Sequence, residues 1–384
     1  MTWPSVTINQ YNTYSSTPKS IENTLLFVGM AHASHGKVLP INANSNLDTL
    51  LGSEDSALKS NIQAALLNAG QNAFCYACVL PKTPKGAKDS PQAAAPAWVE
   101  AITRAQETVS VEGVVLVEPV SSQDDILAAQ ALRQTLINQR QRWVWFMLAV
   151  AGNTGAQTWA EYIQTLTELQ KGIATPQVML VPEVFGYDIG VLAGRLCNAA
   201  VTIADSPARV ATGALVGLKS SEKPQDSAKQ PIDLATLQAL ATVRYSVPMW
   251  YADYDGLYWA DGVTLEVEGG DYNVIEHVRV ADKVARRVRL MAIPKIANRT
   301  LNSTPGSIAA HETLFAEPLR TMAKSTQING VTFPGEVKPP KKEDITITWQ
   351  DTKTVSINII VRPYACPKTI KVGIQLDHAL EDNA

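Results

Sequence analysis

Charged side chains are scarce in this chain. Asp, Glu, Lys and Arg make up 18% of 384 residues and nearly cancel, to a net −3, against about 25% in an ordinary soluble protein. That balance removes any global drive toward nucleic acid, while leaving room for a local basic patch. Cysteine is sparse too: Cys75, Cys78, Cys197 and Cys366 are too few for a disulfide scaffold, which points to a reducing compartment. The longest apolar run, residues 143–151, is far too short to span a bilayer. The opening Met1-Thr2-Trp3-Pro4 has neither a basic flank nor an apolar stretch, so no secretion leader is expected. No repeat recurs at solenoid periods. What is present is 46% hydrophobic residues, an ordinary globular composition with the length for two or three domains.

Taken in order, residues 1–20 are polar and rich in Ser, Thr, Tyr and Asn, and are expected to form an extended arm in which Val6 and Ile8 alternate with polar neighbours. Residues 21–250 form an α/β region. Unbroken apolar runs at 25–30, 73–80, 113–118, 143–150 and 178–184 predict strands, and most are followed by helical patterns at 58–69, 124–140, 159–171 and 188–199. Strands without alternation, each chased by a helix, argue for a mostly parallel sheet flanked by helices on both faces. A further helix is expected at 234–243, and strands at 246–251 and 258–267. Residues 251–367 read as a C-terminal α+β domain, with long helices at 271–292 and 307–324, and 368–384 as a second extended arm.

The near-motifs for chemistry each fail on a specific count. Gly29 to Gly36-Lys37 follows a strand, but a phosphate loop needs four residues between its glycines and a hydroxyl after the Lys; here six intervene and Val38 follows. His32-Ala33-Ser34-His35-Gly36 has a bulky residue where a nucleophile elbow needs a small one. Cys75 and Cys78 with His32 and His35 suggest zinc, but residues three apart on a strand face opposite ways, and histidines in zinc fingers are spaced more widely. Asp253-x-Asp255-Gly256 lacks the spacing and closing Glu of a calcium loop. No catalytic, cofactor or metal residue is therefore assigned.

The helix at 271–292 is unusual for this chain. Arg279, Lys283, Arg286 and Arg287 fall on one stripe of the helical wheel, and the window 272–292 is net +3 (these four and Arg289 against Glu276 and Asp282). It reads either as a solvated face or as a docking surface for an acidic partner, the latter favoured because Arg suits interfaces. Beyond it, residues 345–349 and 355–361 alternate cleanly around the turn Asp351-Thr352-Lys353, so Val355, Ile357 and Ile359 lie on one face of a hairpin. Residues 369–376 alternate again, with Ile370, Val372 and Ile374 in phase. A lone hairpin is marginal in water and leaves two open edges. The expectation is that strands from other copies of the chain complete it.

Several stretches together resemble contractile tail sheath proteins, the family of contractile phages, R-type tailocins and related injection machines. They are Leu26-Phe27-Val28-Gly29-Met30-Ala31 with Gly36 and Pro40-Ile41; Asn68-Ala69-Gly70 before the strand at 73–79; Asp205-Ser206-Pro207-Ala208-Arg209 with Ala214-Leu215-Val216-Gly217; Trp259-Ala260-Asp261-Gly262-Val263-Thr264-Leu265; Val278-Arg279-Val280-Ala281-Asp282 and Asn298; and the closing strands at 355–363 and 367–375. No single motif is specific, but the ordered series spans nearly the whole chain. Lys37 stands where the family usually has Pro, and no Arg precedes Thr264, which suggests a divergent, Mu-like phage branch. The resemblance implies a structural subunit without enzymatic activity or cofactor. It implies a helical stack of hexameric rings around an inner tube protein, closed by baseplate and sheath terminator proteins. Neither direct nucleic-acid contact nor membrane insertion is implied. Assembly in a bacterial host's cytoplasm and a place in a phage tail or tailocin follow. On this reading the terminal arms exchange strands with neighbours through Val6, Ile8, Val355, Ile357, Ile359, Ile370, Val372 and Ile374. The Arg279, Lys283, Arg286 and Arg287 stripe then faces the tube.

The competing class is an α/β hydrolase or nucleotide-binding enzyme using residues 29–37, with Ser34 as a nucleophile. It requires a concave pocket at those strand ends and predicts no filaments.

Overall fold

A computed structural model describes residues 21–71, 73–82, 96–220 and 222–376. The chain opens with β1 (Leu25–Gly29), β2 (Val38–Asn42), α1 (Leu47–Leu51), α2 (Ala57–Ala69) and β3 (Phe74–Val79). It continues through α3 (Ala97–Thr108), β4 (Gly113–Val120), α4 (Gln123–Arg140), β5 (Trp145–Val150), α5 (Trp159–Gln170), β6 (Val178–Pro182) and α6 (Asp188–Leu196). Side chains at the helix starts supply the caps. Ser56, Ser122, Thr158 and Asp233 accept from backbone N–H groups three residues on, at α2, α4, α5 and the later α7 (Leu234–Thr242).

The six strands form one sheet in the order β2-β3-β1-β4-β5-β6. All neighbours run parallel except β2, which is antiparallel to β3 at the edge. The apolar runs are unbroken because both faces are covered. Leu26, Val28, Leu116, Phe146 and Leu180 pack on one side with α3, α4, α5 and α7. Leu25, Phe27, Val115, Met147 and Val181 pack on the other with α2 and α6. The α2–α6 contact is close because α6 carries Gly190 and Gly194. A Cβ at either would lie 2.3 or 2.2 Å from the Asn61 or Ala65 carbonyl oxygen of α2.

After the sheet come the hairpin β7 (Pro248–Tyr251) and β8 (Tyr254–Trp259), the long α8 (Ile275–Ala292), α9 (Pro305–Phe315) and α10 (Glu317–Met322). Two further hairpins follow: β9 (Thr326–Ile328) with β10 (Val331–Phe333), and β11 (Ile345–Trp349) with β12 (Val355–Ile359). A third core joins these pieces, with Val280, Val284, Phe315, Leu319, Met322, Ile345 and Ile347 buried together.

The α8 helix ties this C-terminal part to the sheet. It crosses the ends from which β1, β4 and β5 start, and it does so through ion pairs. Arg279 Nε lies 2.7 Å from Glu112 Oε1, just before β4, and its other nitrogens donate to Asn23 Oδ1 (2.7 Å) and the Leu196 carbonyl (2.9 Å). Asp282 accepts from Arg133 at 2.7 and 2.9 Å, while Arg133 also donates to the Val144 carbonyl before β5. Arg286 reaches Glu22 Oε1 at 3.0 Å and the Trp143 carbonyl at 3.3 Å.

These contacts correct one expectation. As a set of free cations on a docking face, the stripe Arg279, Lys283, Arg286 and Arg287 does not exist in the protomer. Arg279 is 1% exposed, and Lys283, 8% exposed, lies 2.6 Å from Glu336. Arg286 is half-buried against Glu22. Of the four, Arg287 alone makes no ion pair among the described residues. A helical wheel shows which residues share a face. It does not show that acidic residues far away in sequence wait on the inward side.

Candidate functional site

The candidate site is an edge of the C-terminal β-layer. β11 and β12 pair antiparallel, with Ile345 opposite Ile359, Ile347 opposite Ile357 and Trp349 opposite Val355. All six side chains therefore share one face. The two strands are covered unequally: Ile345 and Ile347 are buried on α8, α9 and α10, while Val355, Ile357 and Ile359 stay half-exposed. No third strand joins this sheet among the described residues. Its outer edges thus present unpaired backbone donors and acceptors beside a strip of apolar side chains, the arrangement that templates strand addition.

The chain leaving β12 is strapped down and then released. Pro363 bridges to Val337, and Lys338 N donates to the Arg362 carbonyl at 2.8 Å. Arg362 also pairs with Asp344, at the start of β11. Cys366 Sγ sits 3.8 Å from the Ala204 carbonyl. Lys368 then pairs with Asp261 and, at 2.9 Å, with Glu276 at the start of α8. Burial pulls the Lys368 ammonium down, but the two carboxylates outweigh it and hold its pKa above the usual value.

From residue 369 to 376 every position is exposed and none belongs to a helix or strand. Ile370, Val372, Ile374 and Leu376 are 79%, 77%, 86% and 81% exposed. In an extended conformation these four point one way and Lys371, Gly373 and Gln375 the other. Four large apolar side chains thus stand in strict alternation, all in solvent.

Of the residues expected to exchange strands, Val355, Ile357 and Ile359 thus lie on an open-edged hairpin, and Ile370, Val372 and Ile374 on a projecting segment. Val6 and Ile8, in the N-terminal arm, fall outside the described residues. The anchor Lys368 escaped sequence reading. Its partners stand 107 and 92 residues away, and no local pattern marks them.

The loop proposed for the enzymatic alternative is closed. Met30 N donates to Glu118 Oε1 at 2.8 Å, His32 N and Ala33 N to the Leu51 carbonyl, Gly36 N to Val79 and Lys37 N to Ser34. Five amides of the loop are thus occupied, and a carboxylate sits at the strand end where ligands enter open α/β sheets. His32 lies 3.4 Å from Glu54, and His35 against the Leu80 carbonyl. Cys75 and Cys78 belong to cores on opposite faces of the sheet. Burial pushes both thiols up, Cys78 to about 11. Among the described residues no three His, Cys, Asp or Glu side chains converge on one point, and no helix is long and apolar enough to cross a membrane.

Comparison with known proteins fits this geometry. Two models of one family match in tandem: the DUF2586 N-terminal domain over residues 3–263 and the DUF2586 C-terminal domain over residues 271–379. The chain belongs to the DUF2586 family. A relative from Haemophilus phage HP1 (strain HP1c1), named "Putative tail sheath protein", is 48% identical over 380 residues and spans 98% of both chains. The expected kinship with contractile tail sheath proteins is borne out.

Solved structures extend the likeness at the level of fold. A chain of the anti-feeding prophage baseplate matches with a TM-score of 0.59 and 13% identity over 98% of this chain and 99% of that one. A chain of the PVC sheath complex, an extracellular contractile injection system in the contracted state, matches with 0.59 and 14% over 98% of both. The sheath tail protein of Desulfitobacterium hafniense gives 0.54 and 11% over 92% and 96%. This DUF2586 chain therefore has the mixed α/β fold, with its mostly parallel sheet flanked by helices, of sheath proteins.

Proposed function

We infer that the protein is the subunit of a contractile tail sheath, polymerising helically around an inner tube and contracting to drive that tube through a target cell envelope. The observation that carries the reading is the segment 369–376, whose alternating apolar side chains are held out in solvent, together with a hairpin that has open edges. Its chemistry suits a structural role: main-chain pairing needs no catalytic group and no cofactor. A protomer that offers a strand on one side and an edge on the other makes heterologous contacts, and these propagate into rings and open helices.

On this reading residues 1–20 and 368–384 are exchanging arms, and residues 251–367 hold the acceptor hairpin. Val6, Ile8, Ile370, Val372 and Ile374 enter neighbours' layers beside Val355, Ile357 and Ile359. Burying the four C-terminal apolar side chains favours docking by about 6–12 kcal/mol at roughly 1.5–3 kcal/mol each. Ordering eight residues opposes it by about 8–16 kcal/mol. One arm alone is thus marginal, and a stack held by several arms per copy is stable through multivalency. Hexameric rings, an inner tube, a baseplate and a terminator complete the particle, which assembles in the host cytoplasm and forms part of a phage tail or tailocin. Arms that stay paired while rigid bodies rotate allow two packings of unequal free energy, as contraction demands.

The test is a chain ending at Thr369, which keeps the Lys368 pairs with Asp261 and Glu276. It is expected to fold and melt as the full chain does, and to remain monomeric in sedimentation where the full chain forms tubular polymer. Polymer of normal length from the truncated chain overturns the arm assignment.

A further inference from the structure

Charge is segregated along the part of the chain that carries α8. No Lys or Arg stands between Arg244 and Arg279, and no Asp or Glu stands between Asp282 and Glu312. The two stretches meet in α8, and the fold sets their exposed ends apart. At 18 residues, α8 is about 27 Å long.

Before its N-terminus, the loop 266–272 presents Glu266, Glu268 and Asp271, none in an ion pair among the described residues. It also exposes Val267 (50%) and Tyr272 (38%). The loop is fixed from within: the Thr264 hydroxyl donates to the Tyr272 carbonyl at 2.5 Å, Thr264 N to Asn273, and Gly270 N to Val267. In the last turns of α8 and just past its C-terminus, Arg287, Arg289, Lys295 and Arg299 are half-exposed or exposed and have no acidic partner among the described residues. Among them Leu290, Ile293 and Ile296 are 65%, 44% and 76% exposed. Arg142 crowds this end as well, and burial followed by repulsion from Arg289 and Arg140 lowers its pKa.

Compensation of the helix dipole accounts for part of this polarity, but such effects fade within the first and last turns. Glu266 and Glu268 precede the helix by more than a turn, and Lys295 and Arg299 lie beyond its end. The dipole also gives no reason for apolar side chains to be exposed at both sites.

We propose that these two ends are complementary halves of a contact between copies, in which the basic-apolar knob around Arg289 and Ile296 seats on the acidic-apolar loop 266–272 of the next molecule. The charges are opposite and nearly equal in number, and each half has apolar side chains to bury. A rigid helix keeps the two halves of one molecule apart, so the contact forms only between molecules and runs head to tail. It rests on the reading of the chain as a polymerising subunit and adds to strand exchange a second, charge-steered contact.

Two full-length variants test it. Arg287→Glu with Arg289→Glu and Arg299→Glu leaves the knob at net −2 (three Glu against Lys295), so both ends are acidic; Glu268→Lys with Asp271→Lys leaves the loop at net +1 (two Lys against Glu266), so both ends are basic. Each alone is expected to melt like wild type and to lose sedimenting polymer. Mixed in equal amounts, they are expected to regain it, because each supplies what the other lacks. Milder variants, R289Q and E268Q, are expected to slow wild-type assembly severalfold. Raising salt to 1 M, where the screening length falls from about 8 to 3 Å, is expected to do the same. Polymer from either reversed variant alone at the wild-type level, or no recovery on mixing with R289Q and E268Q assembling at the normal rate, overturns the proposal. Loss confined to the knob variant also overturns it, since the partner is then a different acidic protein. The chain ending at Thr369, run alongside, separates the two contacts. If it polymerises while the charge variants behave as described, strand exchange fails and this contact stands.

Discussion

Arg279 has its guanidinium 1% exposed, with donors on Glu112, Asn23 and the Leu196 carbonyl. Removing one member of such a pair strands a buried charge. Glu112→Ala is therefore expected to cost about 3–5 kcal/mol, measured by urea denaturation, whereas Glu112→Leu with Arg279→Met recovers most of it. Equal losses in the single and double variants contradict the pairing. Asp188 makes a second residue-scale case. It is fully buried, with one carboxylate oxygen accepting from Phe185 N at 2.8 Å and the other without a hydrogen-bond partner among the described residues. Burial first, and then nearby Glu183, raise its pKa well above normal. The folded chain thus keeps a proton that the unfolded chain releases near pH ~4. Stability is expected to fall as pH rises from there toward the folded value. Asp188→Asn flattens that decline in urea midpoints followed against pH; an unchanged slope contradicts it. Neither residue's role was legible in sequence. The wheel placed Arg279 on a stripe, but its acidic partner sits 167 residues away.

Among elements, the central strands were plain because apolar runs buried on both faces leave no polar punctuation. The edges were not. β2 contains Pro40, which a central strand excludes and an edge strand tolerates, and residues 38–42 are not assigned to a strand from sequence. The helix expected at 307–324 breaks at Ala316 because Pro318, in the first turn of α10, has no N–H to continue it. β9 and β10, of three residues each, are too short to leave a period. α3 went unassigned behind a sequence rich in Pro and Lys. The tight α2–α6 contact gives a sharp test: Gly194→Val puts a side chain against the Ala65 carbonyl and is expected to cost about 1–3 kcal/mol or more in urea denaturation, a cost that wild-type stability contradicts. The C-terminal segment gives another. Val372→Pro removes a ladder donor and Ile374→Asp places a charge on the apolar face. Each is expected to leave the melting temperature unchanged and to abolish polymer in sedimentation, since 369–376 touches nothing in the protomer's own core.

At the scale of the molecule, the α/β body and the C-terminal layer are joined by α8 through buried ion pairs, while the layer's outer edge and the last described residues face solvent. Sequence alternation revealed the hairpin and the apolar phase of the projecting segment, because period two survives wherever one face awaits burial. It could not reveal the strap at Lys368 or the opposed charges at the two ends of α8, which depend on where distant segments come together. On the proposed reading, the protomer is a body whose β-layer is finished by its neighbours. A cryo-EM map of the assembled sheath, sharp enough to separate strands, tests that claim most directly. The account predicts residues 369–376 of each copy hydrogen-bonded beside the β11–β12 hairpin of another. A map in which that hairpin has neighbours from its own chain alone, with 369–376 touching no other copy, contradicts it.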